Sequence, residues 1–403
     1  MTPGLAYCDR EGRIYYDETY TPLADGGIQR EVEARELIPA PPGTLEMILP
    51  GRRALTTQGA FARKYALAAI LPAGYTRLLV PAFEKECGAP ALPLFGYTFA
   101  CVVDDELHVA AMKTDESEDW QPRYFAQGEL EAMLDRRLAT DPNNRVLAQL
   151  ALCSREYGCF TAQNVFLERG EAAMPVSPKC NARCIGCISE QEPESELDSP
   201  QARIGFDADA EDLARVGIHH LERVGDGIVS FGQGCEGEPL LRSIAIATAI
   251  EKIRAARSNG TINLNTNGSM PGALARCIDA GLQAVRVSLN SFRPDVYAAY
   301  YRPIGYGLDE VFASIRLASE RGLRVSLNLL THPGVTDDEE ELAAMRAFLS
   351  TVRVAMIQTR TLNIDPDWYF AAVGRPSNPL GMREAIRAIR EAHVAVGNFT
   401  HTH

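Results

Sequence analysis

"SPKCNARCIGCISEQ", Ser177 to Gln191, holds three of the chain's ten cysteines within eight positions, at Cys180, Cys184 and Cys187. It directly follows "AAMPVSP", a short apolar run ending at Pro178 that reads as a strand. Structural zinc sites are closed by four ligands, and the iron–sulfur clusters of electron carriers also take four cysteines. Three thiolates would leave one iron of a cluster open to another ligand. On the residues alone two other readings stand: a zinc loop borrowing Cys153, Cys159 or Cys235, or three buried thiols.

From about residue 170 the chain alternates short β-branched runs with helical patterns, the rhythm of parallel strands joined by crossover helices. After "AAMPVSP" the expected strands are "GIVSFGQ", "TINLNTN", "AVRVSLN", "RVSLNLL" and "VAMIQTR". Between them lie stretches such as "AEDLARVGIHHLERV" and "LDEVFASIRLASERG", with apolar residues three and four apart. Six such units predict an α/β fold, a partial (β/α)6 barrel of parallel strands in the C-terminal half, with a flat doubly wound sheet as the alternative. Either arrangement puts functional residues at the C-terminal ends of the strands.

Upstream, "GRIYYD", "LEMIL", "YTFACVV" and "LHVAAMK" read as strands, the last two as a hairpin around Asp104 and Asp105. Helical patterns follow in "GELEAMLDRRLA" and "NRVLAQLALCSREYG". The expected division is an accessory α+β domain over 1–165 and the strand–helix repeat over 166–403.

A formal charge of −13 and the lack of any Lys/Arg run of five or more disfavour a nucleic-acid partner. No run of eighteen apolar residues and no basic–apolar leader is seen, so the expectation is a cytoplasmic protein without a membrane span. The cysteines are too few and too irregular for a secreted disulfide framework. The histidines of the terminal "FTHTH" read as a frayed end.

The Cys180-x3-Cys184-x2-Cys187 loop behind a strand resembles the cluster loop of the radical S-adenosylmethionine (SAM) superfamily. That resemblance implies a [4Fe–4S] cluster held by Cys180, Cys184 and Cys187, with SAM on the open iron. Five further strand ends carry signals that fit the superfamily's pattern. In "GQGCEGEPLL", Gly237 and Glu238 resemble the motif that receives the SAM ammonium group. Ser288 and Asn290 of "VRVSLNS" share one side of their strand and resemble the strand-four polar motif. Asn267 stands in an Asn-Gly turn at the third strand's end, the segment "LNLLTHPGVTD" closes the fifth, and Arg360 on the sixth would pair with a carboxylate of SAM or substrate. One departure is Gly186, where the superfamily usually has an aromatic residue before the third cysteine; another side chain, or one from the N-terminal half, must cover that face, or adenine binding is looser.

The resemblance further implies an oxygen-sensitive enzyme that makes a 5′-deoxyadenosyl radical and abstracts hydrogen from a small molecule or peptide, fed by an electron donor such as flavodoxin or ferredoxin. Cys235 is a candidate hydrogen-atom donor near Glu238. The alternatives are an activating enzyme that installs a glycyl radical on a partner protein, and a non-catalytic iron–sulfur or zinc protein.

Overall fold

The computed structural model describes residues 3–115, 127–193, 195, 197–257 and 259–398. The terminal histidines lie outside these residues. The C-terminal half is built on seven parallel strands whose order in the sheet is their order in the chain. They are Glu171–Met174, Ile228–Phe231, Thr261–Thr266, Ala284–Leu289, Arg324–Thr331, Met356–Thr361 and Ala395–Gly397. The first six are the expected ones. The seventh was missed because three residues carry too little pattern to separate a strand from a loop.

Alternation along these strands gives the sheet two chemically different faces. On one face Ala172, Val229, Phe231, Ile262, Leu264, Val285, Val287, Leu327 and Ile357 are buried in one continuous apolar cluster with the crossover helices. At about 1.5–3 kcal/mol for each large side chain removed from water, this layer is the main source of cohesion. The register puts the intervening residues on the opposite face. Ser230 lies beside Asn263, Asn265 beside Arg286, Ser288 beside Asn328, and Asn328 beside Gln358. The face packed against the helices is apolar but for threonines near the strand ends, Thr266 and Thr359 among them.

The N-terminal half is dominated by antiparallel strands. A long hairpin pairs Leu45–Thr56 with Gly59–Ile70, and Thr98–Val103 pairs with Glu106–Lys113. Asp104 and Asp105 turn the second hairpin with φ of 50° and 63°, the left-handed pair a two-residue turn requires. Helices Gln127–Thr140, Arg145–Glu156 and Phe160–Leu167 lead to the first parallel strand.

The N-terminal strands pack against the fifth and sixth parallel strands and the segment after them. Thr76 Oγ1 lies 2.6 Å from Thr359 Oγ1, and buried Arg77 donates to the Leu362 carbonyl at 3.0 Å. Arg52 Nη2 meets Asp365 Oδ2 at 2.5 Å with both side chains fully buried, and Asp365 also accepts from Leu92 N–H at 3.0 Å. The N-terminal half thus stands at one side of the strand-end rim.

Candidate active site

The cysteine loop is held from three directions before any ligand is considered. From the second strand's exit, Gly237 N–H donates to the Ser177 carbonyl and Glu238 N–H to the Lys179 carbonyl, both at 2.8 Å. A β-carbon at position 237 would sit 2.0 Å from the Lys179 oxygen, so only glycine permits this approach. Glu236 adds a clamp: its carboxylate accepts from Val176 and Ser177 N–H at 2.8 Å and from Gln233 N–H at 2.7 Å. From the third strand's exit, Asn267 donates to Asn181 at 2.8 Å, and Asn181 donates to Ser269 at 2.9 Å. From helix Pro294–Tyr301, the Tyr301 and Tyr300 carbonyls accept from Arg183 and Ile185 N–H at 3.0 and 3.1 Å.

Cys180, Cys184 and Cys187 lie within electrostatic reach of one another. Burial pushes the Cys180 thiol up to about 11 and Cys184 well above its ordinary value, while the Arg203 guanidinium opposes both shifts. Arg203 also donates to Cys187 Sγ at 3.5 Å and is ion-paired with Glu190. A bound cation reverses this logic, because a coordinated thiol gives up its proton.

A single zinc ion would need thiolates only about 3.8 Å apart, from a Zn–S bond of about 2.3 Å in a tetrahedron. Among the described residues no group of three or more His, Cys, Asp or Glu side chains is arranged to hold one metal ion. Three thiols in one loop supply the donor set of a cluster, where each holds a different iron and the fourth iron is left open. The soft thiol donors present are of the kind such a cluster takes.

Glu238 is 3% exposed, and its carboxylate already has work within the protein. It accepts from Thr266 Oγ1 at 2.5 Å, Asn267 N–H at 2.8 Å and Leu240 N–H at 3.0 Å. Burial still pushes it up to about 7. Instead of standing free for an ammonium group, Glu238 straps the second strand's exit to the third, with one acceptor direction left over. Asn267 is likewise engaged, in positioning Asn181 between the first two cysteines.

Asn290 is fully buried and donates to the Tyr369 hydroxyl at 3.2 Å, while its Oδ1 has no partner. Ser288 and Arg360 reach the polar face with no side-chain partner among the described residues. Cys235 is placed differently from the expectation. It is 4% exposed and its thiol lies beside that of Cys153, in the helix Arg145–Glu156. That gives it a partner in the packed core where a hydrogen-atom donor would need an open path to substrate.

The space that Gly186 leaves is taken by Tyr300. A β-carbon at 186 would lie 3.0 Å from the Tyr300 hydroxyl and 3.4 Å from its ring. Tyr300 in turn meets Tyr369 edge-on at 6.0 Å. Neither Tyr300 nor the clamps Glu236 and Asn181 were singled out from sequence. The available signals were the doubled acid in "CEGEP" and a polar residue between two ligands. On the loop's outer side lies a cavity of about 820 Å³, lined by Arg183, Cys184, Cys187, Arg302, Trp368 and Ala371 among others. None of Glu238, Ser288, Asn290 and Arg360 borders it.

Residues 174–345, which carry the cysteine loop and the second to fifth parallel strands, match the family model of the radical SAM superfamily. Among curated relatives, it is 31% identical over 172 residues to a GTP 3′,8-cyclase of Rhodobacter capsulatus, covering 41% of this chain and 45% of the relative. It is 32% identical over 174 residues to the GTP 3′,8-cyclase of Thermodesulfovibrio yellowstonii, covering 41% and 49%. The chain thus spans about half the length of the relatives it matches. Among solved structures, methylornithine synthase aligns over 68% of this chain and 72% of its own, with 13% identity and a TM-score of 0.39.

Proposed function

We propose that the chain is a radical SAM enzyme whose parallel strands form a partial (β/α)6 barrel with a short seventh strand, the polar face turned inward. Residues 166–403 make the catalytic domain, and residues 1–165 an accessory domain that walls one side of the rim. Cys180, Cys184 and Cys187 would hold a [4Fe–4S] cluster. Such a cluster, once reduced, supplies an electron and an open iron to SAM, whose cleavage gives a 5′-deoxyadenosyl radical.

The observation that carries this reading is the position of the cysteine loop. It is clamped to the ends of the first three strands and to helix Pro294–Tyr301, so the thiols are preorganised at the rim of the polar face. The chain's own residues then have separate tasks. Gly237 allows close packing under Cys180, while Glu236, Glu238 and Asn267 fix the loop's height against the strands. Tyr300 fills the face left bare by Gly186, and Ser288, Asn290 and Arg360 offer polar contacts to SAM or substrate.

The substrate is a small molecule or peptide reached through the rim, and reduction comes from a donor such as flavodoxin or ferredoxin. The ten cysteines are all free thiols, as suits a reducing compartment, and the reading places the protein in the cytoplasm.

The test is spectroscopic. After anaerobic iron and sulfide reconstitution and dithionite reduction, the electron paramagnetic resonance signal of a [4Fe–4S]⁺ cluster should change on adding SAM. Cys184→Ala should lose the signal. An intact cluster whose signal is indifferent to SAM sinks the proposal.

A further inference from the structure

The N-terminal half carries a Pro-rich stretch, "GAPALPLFGY" at 88–97, between its strands Phe83–Lys85 and Thr98–Val103. Its two prolines fix the backbone locally, and hydrogen bonds stiffen it further. The Tyr97 hydroxyl donates to the Pro93 carbonyl at 2.6 Å, and Arg52 donates to the Pro90 carbonyl at 2.8 Å. Leu92, Leu94 and Tyr97 are buried, and Leu94 belongs to the apolar cluster of the parallel strands. The stretch is thus a shaped element seated against the other half of the chain.

Its seat is the exit of the sixth parallel strand. Asp365 Oδ2 accepts from Leu92 N–H at 3.0 Å and from Arg52 at 2.5 Å, while Asp365 Oδ1 caps the helix Pro366–Val373 by accepting from Asp367 N–H at 3.0 Å. Arg77 joins the Tyr97 and Leu362 carbonyls through one guanidinium, at 3.2 and 3.0 Å. Gly96 is in direct contact with the exit: a β-carbon there would overlap the Thr361 γ-methyl and lie 3.2 Å from Asn363 Oδ1. The same exit also meets the cysteine loop. A β-carbon at Gly186, between the second and third cysteines, would lie 3.3 Å from the Asn363 carbonyl oxygen. Helix Pro366–Val373 adds a second route, because its Tyr369 meets Tyr300 edge-on and the Tyr300 carbonyl accepts from Ile185 N–H. Residues 361–369 are therefore packed between the N-terminal stretch and the loop that carries Cys184 and Cys187, and close-packed interiors transmit displacement.

We infer that Gly96 and Arg52 are positioning residues for the cysteine loop. They set the place of residues 361–365, and through Asn363 and Tyr369 these set the place of Gly186 and of the cysteines on either side of it. An error of 1 Å in holding a reactive group can cost about a hundredfold in rate, so an N-terminal half tied in this way is part of the catalytic unit. The consequence for SAM rests on the three cysteines holding a cluster; the mechanical link does not.

The experiment compares wild type, Gly96→Ala, Arg52→Lys and the double variant Gly96→Ala/Thr361→Ser in the full chain. Thr361→Ser removes the methyl that the new carbon strikes, and a lysine at 52 lacks the planar fork that joins Asp365 to the Pro90 carbonyl. Hydrogen exchange of the metal-free protein, read by mass spectrometry, follows the amides of 181–187, with the second parallel strand, Ile228–Phe231, as reference. Gly96→Ala and Arg52→Lys are expected to speed exchange in 181–187 by about tenfold and leave the reference strand unchanged, and adding Thr361→Ser to Gly96→Ala should restore protection. In reconstituted holoprotein with wild-type iron content, the same two variants should bind SAM roughly tenfold more weakly, again with recovery in the double variant. Should Gly96→Ala not fold, Arg52→Lys carries both measurements. Wild-type exchange in 181–187 overturns the inference, and so does acceleration shared equally by the reference strand, which would reveal a general loss of stability. Faster exchange with unchanged SAM affinity overturns the positioning role. Wild type that holds its cluster but fails to bind SAM defeats the enzymatic reading, and the exchange result then judges the mechanical link by itself.

Discussion

Gly237→Ala tests how the cysteine loop is positioned. The added β-carbon would lie 2.0 Å from the Lys179 oxygen, 2.3 Å from its carbonyl carbon and 2.9 Å from Cys180 N, all backbone atoms that cannot rotate away. Contacts below 3.0 Å are essentially never tolerated, so the two segments must part by at least about 1 Å. The bonds Gly237 N–H to Ser177 and Glu238 N–H to Lys179, both 2.8 Å, stretch out of range. Two buried backbone hydrogen bonds at about 1 kcal/mol each, plus residual strain, give a destabilisation of about 2–4 kcal/mol. Because Lys179 precedes the first ligand, Cys180 moves with it. The assay pairs the thermal midpoint of the metal-free protein with iron content after anaerobic reconstitution. The expected result is a midpoint lower by several degrees and substoichiometric iron. Gly205→Ala is the control: no atom lies within 4 Å of its added carbon, so it should change neither reading. Gly237→Ala with a wild-type midpoint and a full complement of iron would refute the reasoning.

Three further outcomes follow from the same contacts. Arg52→Met strands a buried Asp365 carboxylate and should destabilise by about 3–5 kcal/mol, whereas adding Asp365→Leu should recover much of that, as read by denaturant unfolding. Gly186→Phe should collide with Tyr300 and lower the midpoint; adding Tyr300→Ala makes room for the ring and should restore both midpoint and iron binding. Glu341 accepts from the Ser291 hydroxyl and from Phe292 N–H, yet burial raises it from 4.5 to about 7. The folded chain therefore holds a proton that the unfolded chain releases, and this group's contribution falls as pH rises from about 4.5 through 7. Wild type should lose more of its thermal midpoint than Glu341→Gln over that interval; a steeper loss in the variant would contradict the assignment.

Much of this architecture was legible in local pattern. "TINLNTN" and "AVRVSLN" alternate apolar and polar residues strictly enough to announce both the strands and the two faces of the sheet. Helix Pro294–Tyr301 escaped notice because "PDVYAAYY" is only eight residues long, too short for a helical period to stand out, and three of the eight are tyrosines. The cysteines were legible because three ligands must be close in sequence to share one loop. Functions that depend on distant partners were not. Glu238 reads as a free acid until Thr266 and Asn267 are brought against it, and Cys235 reads as an open thiol until folding presents Cys153, 82 positions upstream. Gly186 shows the reverse case, a missing aromatic in the sequence whose replacement, Tyr300, only the fold reveals.

The central claim is tested most directly by the product of SAM cleavage. Anaerobically reconstituted protein, given dithionite and SAM, should release 5′-deoxyadenosine detectable by mass spectrometry, and Cys184→Ala should release none. Four irons per chain without any 5′-deoxyadenosine, or equal product from Cys184→Ala, would contradict the account.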